Sequence, residues 1–211
     1  MSLLGVLMLF NVSQKQLPSS PTPDRLLASH SISMENRYGN SFVNGVFKNN
    51  ILLTLYYLSG RKIPQGYVDW NIVDKPFTYK FTLKKGQTFA FHDTVLADYA
   101  GHVALTTHAH FNSAEGFQSD GYLVADGVCH LASLIDWAAR DAGLTVVAPT
   151  NHNFAEIPEV PREYGVAIYD SPDAQHESAL QNLYITNTKN ADVMFVFQYD
   201  GTALTVSVTE K

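Results

Sequence analysis

The chain contains a single cysteine, few charged residues and no long hydrophobic segment. One cysteine in 211 residues excludes an internal disulfide framework and any zinc site that needs several cysteines. The net charge is −6, and no cluster of lysines and arginines offsets it, which argues against nucleic acid or an anionic membrane surface as the main partner. A chain of this length is typical of one domain with or without an accessory arm.

The most apolar segment lies at the N-terminus and is too short to cross a bilayer. The segment from Leu3 to Phe10 falls well below the ~20 residues that a transmembrane helix needs. A Pro/Ser-rich segment, Gln14 to Pro23, follows it and predicts a linker. An apolar stub before such a stalk is typical of a tethered extracytoplasmic domain, and docking of the stub on the core is the alternative. We assign residues 1–30 to the stub and linker, and residues 31–211 to one globular domain.

The cysteine lies where a helix is predicted to begin. After Asp126 as a plausible N-cap, apolar residues recur at helical spacing up to Gly143, a typical C′ residue. Cys129 would then lie in the first turn, where free backbone N–H groups and the helix dipole favour a thiolate. Further along, His152 follows a short predicted strand that could return beside the helix start. This layout is typical of cysteine nucleophiles, and a buried structural cysteine is the alternative.

The patterning along the chain predicts an α+β fold. A mainly antiparallel sheet is expected to pack on the central helix that starts at the Cys129 segment, with a second helix over residues 41–58. A loop over residues 61–75 is expected to bury Tyr67 and Trp70 as aromatic anchors. The predicted strands are 77–83, 88–92, 103–111, 144–148, 166–169, 183–186, 193–197 and 203–208, and further loops are predicted at 113–120, 157–163 and 171–178.

An ordered series of short motifs runs from Gly86 to Asn187. It consists of a Gly-Gln-Thr-Phe-Ala-Phe strand, a Gly-Val-Cys-His-Leu-Ala-Ser segment, an Ala-Gly-Leu helix end, an Asn-His-Asn segment and a strand ending in Ile-Thr-Asn. In order and spacing the series resembles the VanW-like family. The chain departs from the family pattern where Ala125 and Asp126 replace glycines, where His130 replaces a glutamine, and where an asparagine at position 153 replaces a serine.

The resemblance implies an extracytoplasmic cell-envelope protein, membrane-anchored or secreted, whose partner is a cell-wall peptide or glycan; no cofactor is expected. The arrangement around the cysteine is also similar to the layout of transglutaminase-like and papain-like proteins. Together these features suggest acyl transfer or amide cleavage on peptidoglycan-type peptides. Cys129 would be the nucleophile and His152 the base, and Asp170 would orient the imidazole, with Asn151 and Asn182 as alternatives to Asp170.

Several histidines form a second candidate site. On a strand, His108 and His110 would face the same side, and they could bind substrate beside Cys129 together with Asn151. Alternatively they could join His92 in a mononuclear metal site. A third interpretation is a non-catalytic binding or scaffolding module of the envelope, in which Cys129 belongs to the core and aromatic residues in loops contact the ligand.

Overall fold

The computed structural model describes residues 24–64 and 67–211, which form helices, strands and short 3-10 turns. The helices are α1 (Ser41–Leu58), α2 (Trp70–Val73), α3 (Val128–Asp141) and α4 (Gln175–Leu180). The strands are β1 (Arg25–Ser33), β2 (Phe77–Leu83), β3 (Thr88–Ala90), β4 (Val103–Leu105), β5 (Thr145–Val147), β6 (Tyr184–Thr186), β7 (Val193–Tyr199) and β8 (Ala203–Glu210). The 3-10 turns are Ala97–Tyr99, Ser113–Glu115 and Arg162–Tyr164.

Two sheets of four strands build the fold. Sheet A has the strand order β1-β8-β7-β2, and each neighbouring pair in it is antiparallel. Sheet B has the order β4-β3-β6-β5, in which β3 and β4 are parallel and the other pairs antiparallel. Strand alternation places one set of side chains of β7 and β8 in the core, where Phe195, Phe197 and Val206 are fully buried. The α+β fold with a mainly antiparallel sheet is confirmed.

Helix α3 lies at the centre of the molecule and contacts β1, β8, β5 and α1. The helix is central because one of its faces carries a continuous apolar stripe that must be buried. Its fully buried side chains include Leu131, Ala132, Leu134, Ile135 and Ala138. The helix begins after Gly127, which is the N-cap at φ 98 and provides no side-chain cap. The prediction of Asp126 as the N-cap is therefore wrong, while Gly143 follows the helix at φ 72, as predicted for a C′ residue.

The fold starts earlier than the predicted boundary at residue 31. Strand β1 begins at Arg25 and pairs with β8 along its length, apart from a bulge between Leu26 and Ala28. Residues 25–30 therefore belong to sheet A rather than to a linker. The apolar stub and the segment from Gln14 to Pro23 lie outside the described residues. Within the described part of the chain, no helix combines the length and apolar character that crossing a membrane requires.

Several loop regions differ from the sequence prediction. The strand predicted over residues 103–111 ends at Leu105, and His108 then takes a positive φ of 57, which is incompatible with a continuing strand. The predicted strand over residues 166–169 is reduced to one bridge between Asn151 and Val166. The predicted loop over residues 171–178 contains the start of α4. Tyr67 was predicted to be a buried anchor and is instead 77% exposed.

Candidate functional site

A cleft of about 880 Å³ opens at the N-terminal end of α3. Its walls come from four stretches of chain, residues 36–39, 120–130, 152–158 and 167–170, with single side chains from α1 and the neighbouring loops. Cys129, His152 and Asp170, the three residues of the predicted catalytic site, all line this cleft. The contacts of each residue decide what this arrangement can do chemically.

The thiol of Cys129 binds the backbone of Ile168. Sγ accepts from the Ile168 N–H at 3.4 Å and faces the Ile168 carbonyl oxygen at 3.8 Å. Burial in the first place, together with the neighbouring carboxyl of Asp126, raises the pKa of the thiol to about 11. Desolvation therefore outweighs the helix N-terminus that was expected to favour a thiolate. The thiol is protonated at neutral pH, and among the described residues no hydrogen bond joins it to His152.

His152 is buried and is oriented by a backbone carbonyl. Its Nδ1 donates to the carbonyl oxygen of Ala155 at 3.2 Å, which leaves Nε2 as the nitrogen that can accept a proton. Burial lowers the pKa of the imidazole, so the ring is neutral at physiological pH. The ring packs against Phe154, with centroids 4.0 Å apart. His152 thus has the tautomer of a general base, and the Ala155 carbonyl occupies the place predicted for a side-chain orienting group.

Asp170 interacts with another histidine. Its Oδ1 accepts from the Thr94 hydroxyl at 2.7 Å and lies 3.8 Å from Nδ1 of His92. The amide of Asn182 is also directed at this region, since it donates to the carbonyls of His92 and Thr94. Asn151 accepts from the N–H of residue 153 in a local turn. None of the three groups proposed to orient His152 makes a hydrogen bond to it within the described part of the chain.

The histidines of the second candidate site lie apart from the cleft that contains Cys129. His108 contacts Thr106 at 3.0 Å through Nδ1, and Nδ1 of His110 binds Glu115 at 2.7 Å, which raises the pKa of the His110 imidazole. His110 lines a separate cavity of about 600 Å³ that shares Asp170 with the cleft. Over residues 24–64 and 67–211, no group of three or more His, Cys, Asp or Glu side chains is placed to hold a metal ion. The alternative metal site of His92, His108 and His110 is not formed.

Two polar side chains in the cleft were not among the predicted site residues. His130 is 5% exposed, its Nδ1 has no hydrogen-bond partner among the described residues, and burial lowers the pKa of its ring to about 3. Asp126 has a buried Oδ2 without a hydrogen-bond partner in the described part of the chain, and burial together with the charge of Asp120 raises the pKa of its carboxyl to about 6. Their sequence signal was position alone, since both flank the helix start. The position of Asp120 near Asp126 depends on a loop whose conformation no sequence pattern predicts.

The rim of the cleft is apolar and exposed. Phe154 is 77% exposed, Leu123 is 67% exposed and Tyr38 is 53% exposed, and Val124 and Tyr169 complete the set. Apolar side chains this exposed are unremarkable singly, but a contiguous group beside a cleft is typical of a binding site. The cleft therefore combines an apolar rim with buried polar groups in its wall.

The fold and this cleft define an α+β domain with a ligand-sized site at the start of its central helix. No family model, no curated protein and no solved structure matches the chain. The resemblance to the VanW-like family remains a prediction that rests on the motif series alone.

Proposed function

We propose that the domain is a cell-envelope binding module whose cleft holds a cell-wall peptide. One observation carries the proposal: the wall of the cleft has polar atoms without hydrogen-bond partners over residues 24–64 and 67–211, and exposed apolar side chains line its rim. A buried polar atom without a hydrogen bond costs on the order of 1–3 kcal/mol, which a ligand that supplies the partner recovers. The motif series that resembles the VanW-like family supports the assignment to the envelope.

Binding accounts for the state of Cys129 better than catalysis does. A thiol with a pKa of about 11 is almost entirely protonated at neutral pH, whereas the thiolate is the nucleophile. In the folded domain, the thiol is also already hydrogen-bonded to the backbone N–H and carbonyl oxygen of Ile168. We therefore assign Cys129 to the wall of the binding cleft, where it secures the 166–170 segment to the start of α3.

We expect Phe154→Ala to weaken the binding of soluble peptidoglycan fragments about tenfold, because exposed aromatic side chains at a cleft rim are typical binding anchors. Tyr67→Ala is the matched control: Tyr67 is also 77% exposed but does not line the cleft. Isothermal titration calorimetry with purified fragments, including stem peptides without sugar and glycan strands without peptide, measures both effects. No binding to the wild-type domain, equal losses in the two variants, or binding of glycan alone would contradict the proposal.

Acyl transfer is the second candidate function, and one observation favours it. Cys129 and His152 line the same cleft, and the hydrogen bond to Ala155 leaves Nε2 of His152 free to accept a proton. In this candidate the bound ligand would have to displace the Ile168 backbone from Sγ before the thiol could transfer its proton. The thiolate would then attack the amide carbonyl, and the amine would leave with a proton from the imidazolium.

The rate of alkylation by iodoacetamide separates the two candidates. Because Cys129 is the one cysteine of the chain, modified protein reports this thiol alone, and Cys129→Ser is the blank. We expect slow alkylation at pH 7. The half-point, which is the pH at which the alkylation rate reaches half of its maximum, should lie well above pH 9 and change little in His152→Ala. A half-point below about pH 8 that rises by a unit or more in His152→Ala would instead favour the catalytic candidate.

A further inference from the structure

We infer that the carboxyl pair of Asp120 and Asp126 receives a primary ammonium group of the bound peptide. The inference rests on the proposed function and specifies the chemistry of the ligand in the same cleft. It assigns the pair a binding role that the sequence did not indicate, since Asp126 was expected to cap α3 and Asp120 was expected in a loop.

The pair is held in place by a fully buried asparagine of α1. The Asn50 side-chain amide donates to the carbonyl oxygens of Gln118 at 3.0 Å and of Asp126 at 2.9 Å. Its side-chain oxygen accepts from the N–H of Gln118 at 2.8 Å. Asn50 thus ties both ends of the loop that carries Asp120, and a bridge between Ser119 and Val124 closes that loop. The backbone that carries the two carboxyls is therefore fixed by the fold before any ligand binds, and both residues line the same cleft.

The pair has no cation of its own. Over the described residues, the ion pairs of the protein include neither Asp120 nor Asp126. The guanidinium in the cleft wall, that of Arg37, is buried and already bonded to Glu159 at 2.7 Å and to two backbone carbonyls. Two adjacent carboxyls without a counter-ion repel each other, and this repulsion adds to burial in raising the pKa of Asp126. A ligand cation placed between them removes the repulsion.

His130 is an independent indication that the ligand of the cleft is polar. It is 5% exposed, lines the cleft four residues after Asp126, and makes no side-chain hydrogen bond to any residue that the structure describes. Its ring is neutral, so one nitrogen donates and the other accepts. A peptide has amide N–H and carbonyl groups beside its amine, which suits an uncharged imidazole in the same cleft as a carboxyl pair.

An ammonium group fits this pair better than a metal ion. A divalent cation needs several oxygen, nitrogen or sulfur ligands around one point. Within the described ranges, no third His, Cys, Asp or Glu joins the two carboxyls in such an arrangement. An ammonium has three N–H donors, of which two carboxylates satisfy two, and a backbone carbonyl or water satisfies the third.

The test compares two synthetic stem peptides that differ at one atom group. One contains lysine at its third position, and the other is the same peptide acetylated at Nζ, which removes the charge and keeps the chain length. We expect acetylation to weaken binding to the wild-type domain ten- to hundredfold at pH 7.5, as expected for loss of a charge-assisted hydrogen bond. Equal binding of the two peptides overturns the ammonium inference and leaves the proposed function intact, whereas no binding of either overturns the proposed function and this inference with it.

Substitutions then locate the effect on the protein. Asp126→Asn and Asp120→Asn are each expected to reduce the preference for the unmodified peptide to less than threefold. Asp98→Asn, at an exposed position outside the cleft, removes the same charge from the protein and should keep the full preference. A folded Asp126→Asn or Asp120→Asn domain that keeps the tenfold preference overturns the inference. Should either variant fail to fold, the other variant and the acetylated peptide on the wild-type domain still decide the question.

Discussion

Gly127→Ala is expected to destabilise the domain by about 2–5 kcal/mol. An added Cβ would lie 2.7 Å from the carbonyl oxygen of Phe47 and 2.8 Å from its Cα, and both are backbone atoms of α1 that cannot rotate away. Gly127 also has φ 98, and a positive φ costs a residue with a side chain roughly 1–2 kcal/mol. Forcing α1 and α3 apart adds about 1–3 kcal/mol of overpacking. The same contact fixes the start of α3, so the cleft should be disturbed as well.

Gly60→Ala separates the two contributions. Gly60 has a comparable φ of 80, but an added Cβ there would meet no atom of the described residues within 4 Å. We therefore expect this variant to lose only the conformational part, about 1–2 kcal/mol. Urea unfolding followed by circular dichroism gives both free energies of unfolding. Equal losses at the two positions would show that close contact between α1 and α3 at Gly127 is unimportant.

The fold was predictable where one face of an element carries a strong apolar pattern. Helix α1 has the predicted bounds, and α3 follows from the periodic apolar residues after Gly127. Strands β2, β7 and β8 alternate clearly and form as antiparallel neighbours. In these segments the local pattern and the tertiary environment agree, so the sequence alone is a sufficient guide.

The misses arise where the local apolar pattern is weak or fits more than one structure. Strand β1 has three serines among its nine residues and only weak apolar alternation, and its strand identity comes from pairing with β8 at the opposite end of the chain. Residues 166–169 read as a strand because they are apolar, but Val166 makes one bridge and Ile168 binds the thiol of Cys129 instead of a neighbouring strand. Short apolar runs do not identify their partners.

The candidate site was also predictable only in part. The helix start of Cys129 was evident from periodicity, and His152 does line the same cleft. Asp170 was assigned to His152 because it ends an apolar run, yet its side chain is bound by Thr94 and lies beside His92. The protonation state of the Cys129 thiol was also not predictable, because its pKa depends on burial and no local sequence motif indicates burial. Residue types and their order indicate a site, whereas its chemistry is set by desolvation and by distant loops.

Acid is expected to unfold the domain, and His130 is expected to be a main cause. Burial first, then the charges of Arg37 and His152, lower the pKa of His130 from 6.5 to about 3. The folded state therefore binds fewer protons than the unfolded state between these values, so stability is full above pH 6.5 and falls as the pH drops towards 3. Each pKa unit corresponds to about 1.4 kcal/mol. Protonation of His130 is therefore expected to lower the free energy of unfolding by about 3 kcal/mol at pH 4 relative to neutral pH.

His130→Gln should remove this contribution, because glutamine fills similar space and has no charge to gain in acid. The quantity to compare is the difference between the free energies of unfolding at pH 7.5 and pH 4, since any packing loss affects both values and cancels. We expect that difference to be smaller in His130→Gln by about 3 kcal/mol, while His176→Gln, at an exposed position in α4, should leave it unchanged. His92 is also buried with a lowered pKa and remains in both proteins, and the charge of His152 is the smallest of the causes that lower the pKa of His130, so the loss of that coupling in His130→Gln is a minor part of the difference. A pH dependence that His130→Gln leaves intact would mean that His130 is protonated in the folded domain, with a partner in the cleft that stabilises its charge.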